Sequence, residues 1–244
     1  MDTLTDYVVG AGRIERDGAI TRLILDNTST RTYSDSQLDD FHMRARRDYF
    51  WRPPVTLSLR ARFSHPADQL RGTAGFGWWN APFARDRATI AVTGPQVLWF
   101  FFASPPNHLS TTGTFSGQGW FAQMLNVSTL PRLAAWAGSL LVRPLLRGIA
   151  QRSADRAGRG VEQSLSIVDI TEWHNYRIEW EKEIARFYVD NILVMTAPHP
   201  PTSPLALVLW IDNQWADLRG RGGLLAIEES QWMEIADLNM EHGT

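Results

Sequence analysis

Asp212, Asn213, Gln214 and Trp215 are four ligand-capable side chains in a row. They follow Leu205 to Ile211 (LALVLWI), an apolar run that reads as a buried strand. A strand end of that kind is where a rigid scaffold holds a polar site. Asp212 is placed to move a proton as general acid or base. His108, in the segment SPPNH, could do the same, because a free imidazole titrates near neutrality. Asp40, with Asp39 beside it, adds a carboxylate from the polar stretch 33–42 (YSDSQLDDFH), which reads as a loop. The ordinary role of such aspartates is to accept local backbone hydrogen bonds in turns and caps.

Aromatic side chains supply the second kind of chemistry. The chain holds 11 tryptophans, each a flat apolar face with one N–H donor. In 72–83 (GTAGFGWWNAPF), Gly75 and Gly77 share one face of an expected strand that ends in Trp78, Trp79 and Asn80. Glycines there let a ligand or another backbone come close. Gln96 to Ala103 (QVLWFFFA) is apolar throughout, the pattern of a strand covered on both faces. Strand side chains alternate, so a ligand pocket would be lined either by Trp79, Trp99 and Phe101 or by Trp78, Phe100 and Phe102.

The elements that must position these groups are strands. Thr171 to Met195 gives two alternating strands around Glu181-Lys182-Glu183, then an Asp190-Asn191 turn into a third. Val55 to Phe63 alternates apolar with Thr56, Ser58, Arg60 and Arg62, the mark of a half-buried strand. Residues 120–159 break the pattern. Leu133, Trp136, Ala137, Leu140 and Leu141 have amphipathic helical spacing, which predicts a helical insertion at about 120–159, a possible lid over the pocket. The expected architecture is all-β: one two-sheet antiparallel β-sandwich over 1–244 carrying that insertion.

Composition bounds the function. A net charge of −2 gives no global attraction to nucleic acid, and zero cysteines exclude disulfides and thiolate chemistry. No apolar run reaches the ~18 residues of a membrane span. The first residues lack a signal-peptide pattern, so a cytoplasmic location is expected. The 130–152 segment, with Arg132, Arg143, Arg147 and Arg152, is a candidate for a homodimer contact or peripheral membrane contact.

The segments WHNYRIEW (173–180), ARFYVDNILV (185–194) and QWMEIADLNM (231–240) resemble those of the concanavalin A-like lectin/glucanase superfamily, and of glycoside hydrolase family 16 in particular. The resemblance is better over 172–240 than over 55–102. It implies a jelly roll with a concave ligand face. It also implies a place for the family's Glu-x-Asp-x-x-Glu catalytic motif, and that place here holds Gln96 to Phe102, without a carboxylate. A retaining glycosidase needs two carboxyl groups about 5 Å apart. By the same resemblance, Asp237 stands where a structural calcium ligand is found. No cofactor is otherwise required.

Two main readings follow. In the first, the glucanase-like sandwich has lost hydrolysis and binds a lipophilic small molecule, or transforms it as an isomerase or cyclase. The site would combine apolar walls with Asn80, His108, Asp212 and Asn213. In the second, it is a carbohydrate-binding protein or an atypical glycoside hydrolase. A third reading, a partner-binding or membrane-binding module, rests on the 130–152 segment alone.

Overall fold

A computed structural model describes residues 4–42, 44, 48–81, 95–127, 160–217 and 221–243. Among them, strands follow one another as β1 (Thr5–Val9), β2 (Gly12–Asp17), β3 (Ile20–Leu25), β4 (Asp35–Asp39), β5 (Val55–Phe63), β6 (Thr73–Trp79), β7 (Gln96–Ala103) and β8 (Gly119–Asn126). The chain continues with β9 (Gly160–Ser164), β10 (His174–Trp180), β11 (Ile184–Val189), β12 (Ile192–Pro198), β13 (Ala206–Asp212), β14 (Gln214–Ala216), β15 (Gly222–Leu224) and β16 (Gln231–His242). Two antiparallel seven-stranded sheets form a sandwich. One has the order β1-β4-β13-β6-β7-β8-β9, the other β12-β11-β10-β5-β16-β3-β2. No helix among the described residues is long and apolar enough to cross a membrane.

The sandwich follows from alternation. In β5, Val55, Leu57, Leu59, Ala61 and Phe63 are buried and the residues between them half-buried. The β10–β11 hairpin does the same, with Tyr176, Ile178, Trp180, Ala185, Phe187 and Val189 facing inward. Asp190 and Asn191 take positive φ at its neighbouring turn, the left-handed pair that a two-residue hairpin loop requires. Opposite them, Phe76, Trp78, Leu98, Phe100, Phe102 and Trp120 come from the first sheet. Phe100 lies within 5.0–6.1 Å, ring to ring, of Phe76, Trp120, Tyr176 and Phe187. The core thus locks by edge and offset aromatic contacts from both sheets.

Two expectations are corrected here. Residues 120–126 are strand β8, not the start of a helical insertion. Trp120, Ala122 and Met124 enter the inter-sheet core, and Phe121, Gln123 and Leu125 face the other way, so the segment is buried on both sides. The helix expected over Leu133 to Leu141, and the 130–152 dimer or membrane contact, lie outside the described residues. The stretch 33–42 is not simply a loop, because Asp35–Asp39 is a buried strand between β1 and β13. Its polar side chains hid it from a search for apolar alternation.

Candidate functional site

The first sheet has a second face, turned away from the core. Register places Tyr7 beside Gln37, Gln37 beside Trp210, Trp210 beside Gly75, Gly75 beside Phe101 and Phe101 beside Phe121. A parallel row runs Asp39, Val208, Gly77, Trp99, Gln123, Glu162. Phe101, Phe121, Val208 and Trp210 form a buried apolar cluster, with the half-buried Trp79 and Trp99 packed against it. Trp99 lies 5.1 Å from Phe101, 5.3 Å from Trp210 and 6.2 Å from Trp79.

Gly75 and Gly77 make this floor possible. A Cβ on Gly75 would stand 3.0 Å from the Trp210 ring, and one on Gly77 would stand 2.7 Å from the Trp99 Cβ. Gly77 also takes φ +148°, which disfavours any other residue. The approaching groups are the protein's own: the β7 backbone at Phe100 and Leu98, and the Trp210 ring beside Gly75.

Acidic groups stand at the ends of the floor. Asp212 and Asp35 are register partners on adjacent strands, both buried. The Thr73 hydroxyl donates to Asp212 Oδ1 at 2.7 Å, and Gln214 donates to it through its backbone N–H (3.1 Å) and to Oδ2 through its amide (2.6 Å). Burial nevertheless holds Asp212 above the ordinary carboxylate range. Asp35 is pushed well above that range, first by burial and then by the charge of Asp212. The Tyr33 hydroxyl donates to its Oδ2 at 2.9 Å, and its Oδ1 has no partner. Hydrogen bonds to the charged form favour ionisation, so the donors on Asp212 offset part of the effect of burial, while Asp35 receives one.

At the opposite edge Glu162 behaves in the reverse way. Burial pushes its pKa up, but donors from Thr111, Gln123 and Ser110 at 2.6–2.8 Å outweigh this and hold it below the ordinary range. Asp39, fully buried, accepts from Gln37 Nε2 and from the N–H groups of Phe41 and His42, and it contacts His42 Nδ1. The His42 ring stacks on Tyr7 at 3.8 Å. Sequence reasoning did not propose Asp35, Glu162 or His42 for the site. The signal for Asp35 was the alternation Asp-x-Gln-x-Asp in 35–39; for Glu162 there was none, because its partners lie about 40–50 positions away.

The expected site residues divide. Trp79, Trp99 and Phe101 line the outer face as the first of the two alternatives required. Trp78 does not: it is fully buried in the inter-sheet core, 5.3 Å from Trp180. Asn213 is a structural hub, accepting from the Ser34 N–H and donating toward Thr28, Ser29, Thr32 and Leu225. Asn80 closes the sheet by accepting from the Gln96 N–H at 3.1 Å. Gln214 supports Asp212, and Trp215 sits half-buried on the β14–β15 hairpin beside Gly223.

Asp40 and Asp212 are not neighbours. The Asp40 N–H pairs with the Leu207 carbonyl, five positions from Asp212 on β13, or about 17 Å along a strand. The Asp40 carboxylate accepts from Trp51 Nε1 and the Leu207 N–H, a tie between chain segments. His108 has an exposed side chain, and its backbone N–H donates to Ala216 at the Asp212 end of the sheet. Asp237 lies on the outer surface of the second sheet, ion-paired with Arg60 at 2.8 Å. No cluster of three or more potential metal ligands occurs among the described residues.

Two outcomes are expected from these environments. Burial raises Asp40 to about 6. Its folded pKa then exceeds the unfolded value of about 3.9, so its contribution is complete below pH ~4 and lost as pH rises through ~6, by about 3 kcal/mol. Chemical denaturation across this window should show that fall, and Asp40→Asn should flatten it. Asp35→Asn should change stability by less than about 1 kcal/mol, since Asp35 accepts one hydrogen bond and removing its carboxyl relieves the neighbouring Asp212. Asp212→Asn should cost about 2–3 kcal/mol, since an amide cannot accept all three of its donors on both oxygens. Urea midpoints of the two variants check the asymmetry.

Solved structures match the fold over nearly the whole chain at low identity. A legume lectin-like domain from Entamoeba histolytica superposes with a TM-score of 0.54 and 8% identity, over 100% of this chain and 91% of that one. An endo-acting O-glycanase of the human gut microbiota gives 0.53 and 13%, over 96% and 84%. An alginate lyase bound to dimannuronate gives 0.53 and 10%, over 91% and 74%. No protein-family model matches the chain, and no curated protein does. The chain has the concanavalin A-like lectin/glucanase fold, a jelly roll of two antiparallel sheets.

Proposed function

We propose that the protein binds a carbohydrate on the outer face of the β1-to-β9 sheet. The observation that carries this reading is the pair of half-buried indoles, Trp79 and Trp99, lying 6.2 Å apart on a face with hydrogen-bonding carboxyl groups at both ends. A sugar has an apolar C–H face and a rim of hydroxyls, and this arrangement offers both complements. Proteins of the same fold described as a lectin-like domain, an O-glycanase and an alginate lyase support the reading by analogy.

Processing of the bound sugar is the finer form of this proposal. Asp35 and Asp212 are adjacent buried carboxyls, both raised by burial and unequally supplied with donors, the kind of pair that acid–base chemistry on a glycosidic bond would use. The lipophilic-ligand isomerase or cyclase has one observation in its favour, the apolar centre made by Phe101, Phe121, Val208 and Trp210. One of its three acid–base candidates, Asp40, lies apart from Asp212, tied to Trp51 and Leu207.

Titration with a panel of oligosaccharides, followed by tryptophan fluorescence and calorimetry, tests the proposal. Binding is expected, and Trp99→Ala should weaken it about tenfold, the effect of losing ~1.4 kcal/mol of stacking. A protein that ignores every glycan but yields a lipophilic molecule on solvent extraction would reverse the order of the two readings.

A further inference from the structure

A sheet face that holds a long glycan must expose a row of its residues, and this face exposes two. In the middle strands of the first sheet, β4, β13, β6, β7 and β8, every residue is buried except Trp79, Trp99 and the ends of β8, Gly119 and Asn126. Trp99 stands opposite Gly77, on the strand that ends in Trp79, and the two rings lie 6.2 Å apart. The accessible floor is a window made by these two indoles.

The protein's own side chains close that window on three sides. Toward β4, Phe41 stands edge-on to Trp79 at 5.4 Å, with Tyr49 at 6.3 Å from Phe41. Both are buried in one apolar cluster with Ala206 and Val208 of β13. Toward β9, Gln123 accepts the Trp99 N–H at 2.7 Å, donates to Glu162 at 2.6 Å and is itself buried. Ser110 and Thr111 bind the same carboxylate at 2.7–2.8 Å, and Phe115 seats on Phe121 at 5.1 Å, so the 110–115 segment is fastened against this side. Toward Asp212, Phe101 and Trp210 are only 6% and 7% exposed. A sugar ring gains by laying its apolar face on an exposed aromatic ring. Units of a chain beyond the window find no further ring to receive them.

We propose that the site takes a short ligand, one or two sugar units or the end of a longer chain, and not the middle of a polysaccharide. The assignment rests on the reading of this face as a glycan site. It adds the size class of the ligand.

Calorimetric titration with chain-length series of β-glucan, xylan, mannan and alginate fragments, from monosaccharide to hexasaccharide, tests it. In whichever series binds, affinity should reach its full value at the disaccharide and change by less than about twofold beyond it. Trp79→Ala and Trp99→Ala should each weaken disaccharide and hexasaccharide by the same factor, because no contact outside the window compensates. An affinity that climbs about tenfold or more between disaccharide and hexasaccharide would overturn the assignment. So would a hexasaccharide that tolerates both substitutions. The length series needs only the wild-type protein, so it decides the matter even where a substitution disturbs folding. If no series binds at any length, the glycan site itself falls, a result distinct from binding that grows with length.

Discussion

Phe100 is gripped between the sheets by Phe76, Trp120, Tyr176 and Phe187, and the rest of the molecule depends on that contact. Once Phe100 points inward, strand geometry sends Trp99 and Phe101 outward. The same parity then passes through the hydrogen-bonded register to each neighbouring strand. A one-residue slip in β7 would bury Trp99 and expose Phe100, exchanging core and site. The aromatic core therefore fixes the outer face as well as stabilising the sandwich.

The outer face is itself built from mutual constraints. The Trp210 ring lies over β6 because Gly75 has no side chain to obstruct it, and Gly77 admits the backbone and Cβ of Trp99. Their N–H groups run into Thr73 and Gln123, and through these into Asp212 and Glu162. Polar and apolar parts of the face are thereby coupled: the carboxylates hold the relays, and the relays hold the rings. Such preorganisation suits a binding surface, because the side chains have lost their freedom before the ligand arrives.

The three acidic environments follow one rule with opposite results. Burial raises the pKa of all three carboxyls. Donors supplied by the 110–112 turn and Gln123 reverse the effect at Glu162. Donors from Thr73 and Gln214 only moderate it at Asp212, and at Asp35 one oxygen receives nothing. Hydrogen-bond count, rather than residue type, sets the direction and extent of each departure from the ordinary carboxylate range.

Alternation made the fold legible. β5, the β10–β11 hairpin and the closing strand could be read within a residue or two, because a half-buried strand writes its two faces directly into the sequence; β7 was read from its unbroken apolar run. β4 was missed because its outward positions are Asp35, Gln37 and Asp39, and β8 was absorbed into an expected helix because WFAQMLN shows neither alternation nor an unbroken apolar run. By itself the sequence determined an all-β sandwich, two alternative aromatic faces and Asp212 at a strand end. Tertiary structure decided which face is the outer one and placed Asp35 beside Asp212. It gave Asn213 and Trp78 to the scaffold and left Trp79 and Trp99 half-buried. These outcomes depend on strands far apart in the chain meeting in register, and no local pattern of residues encodes that meeting.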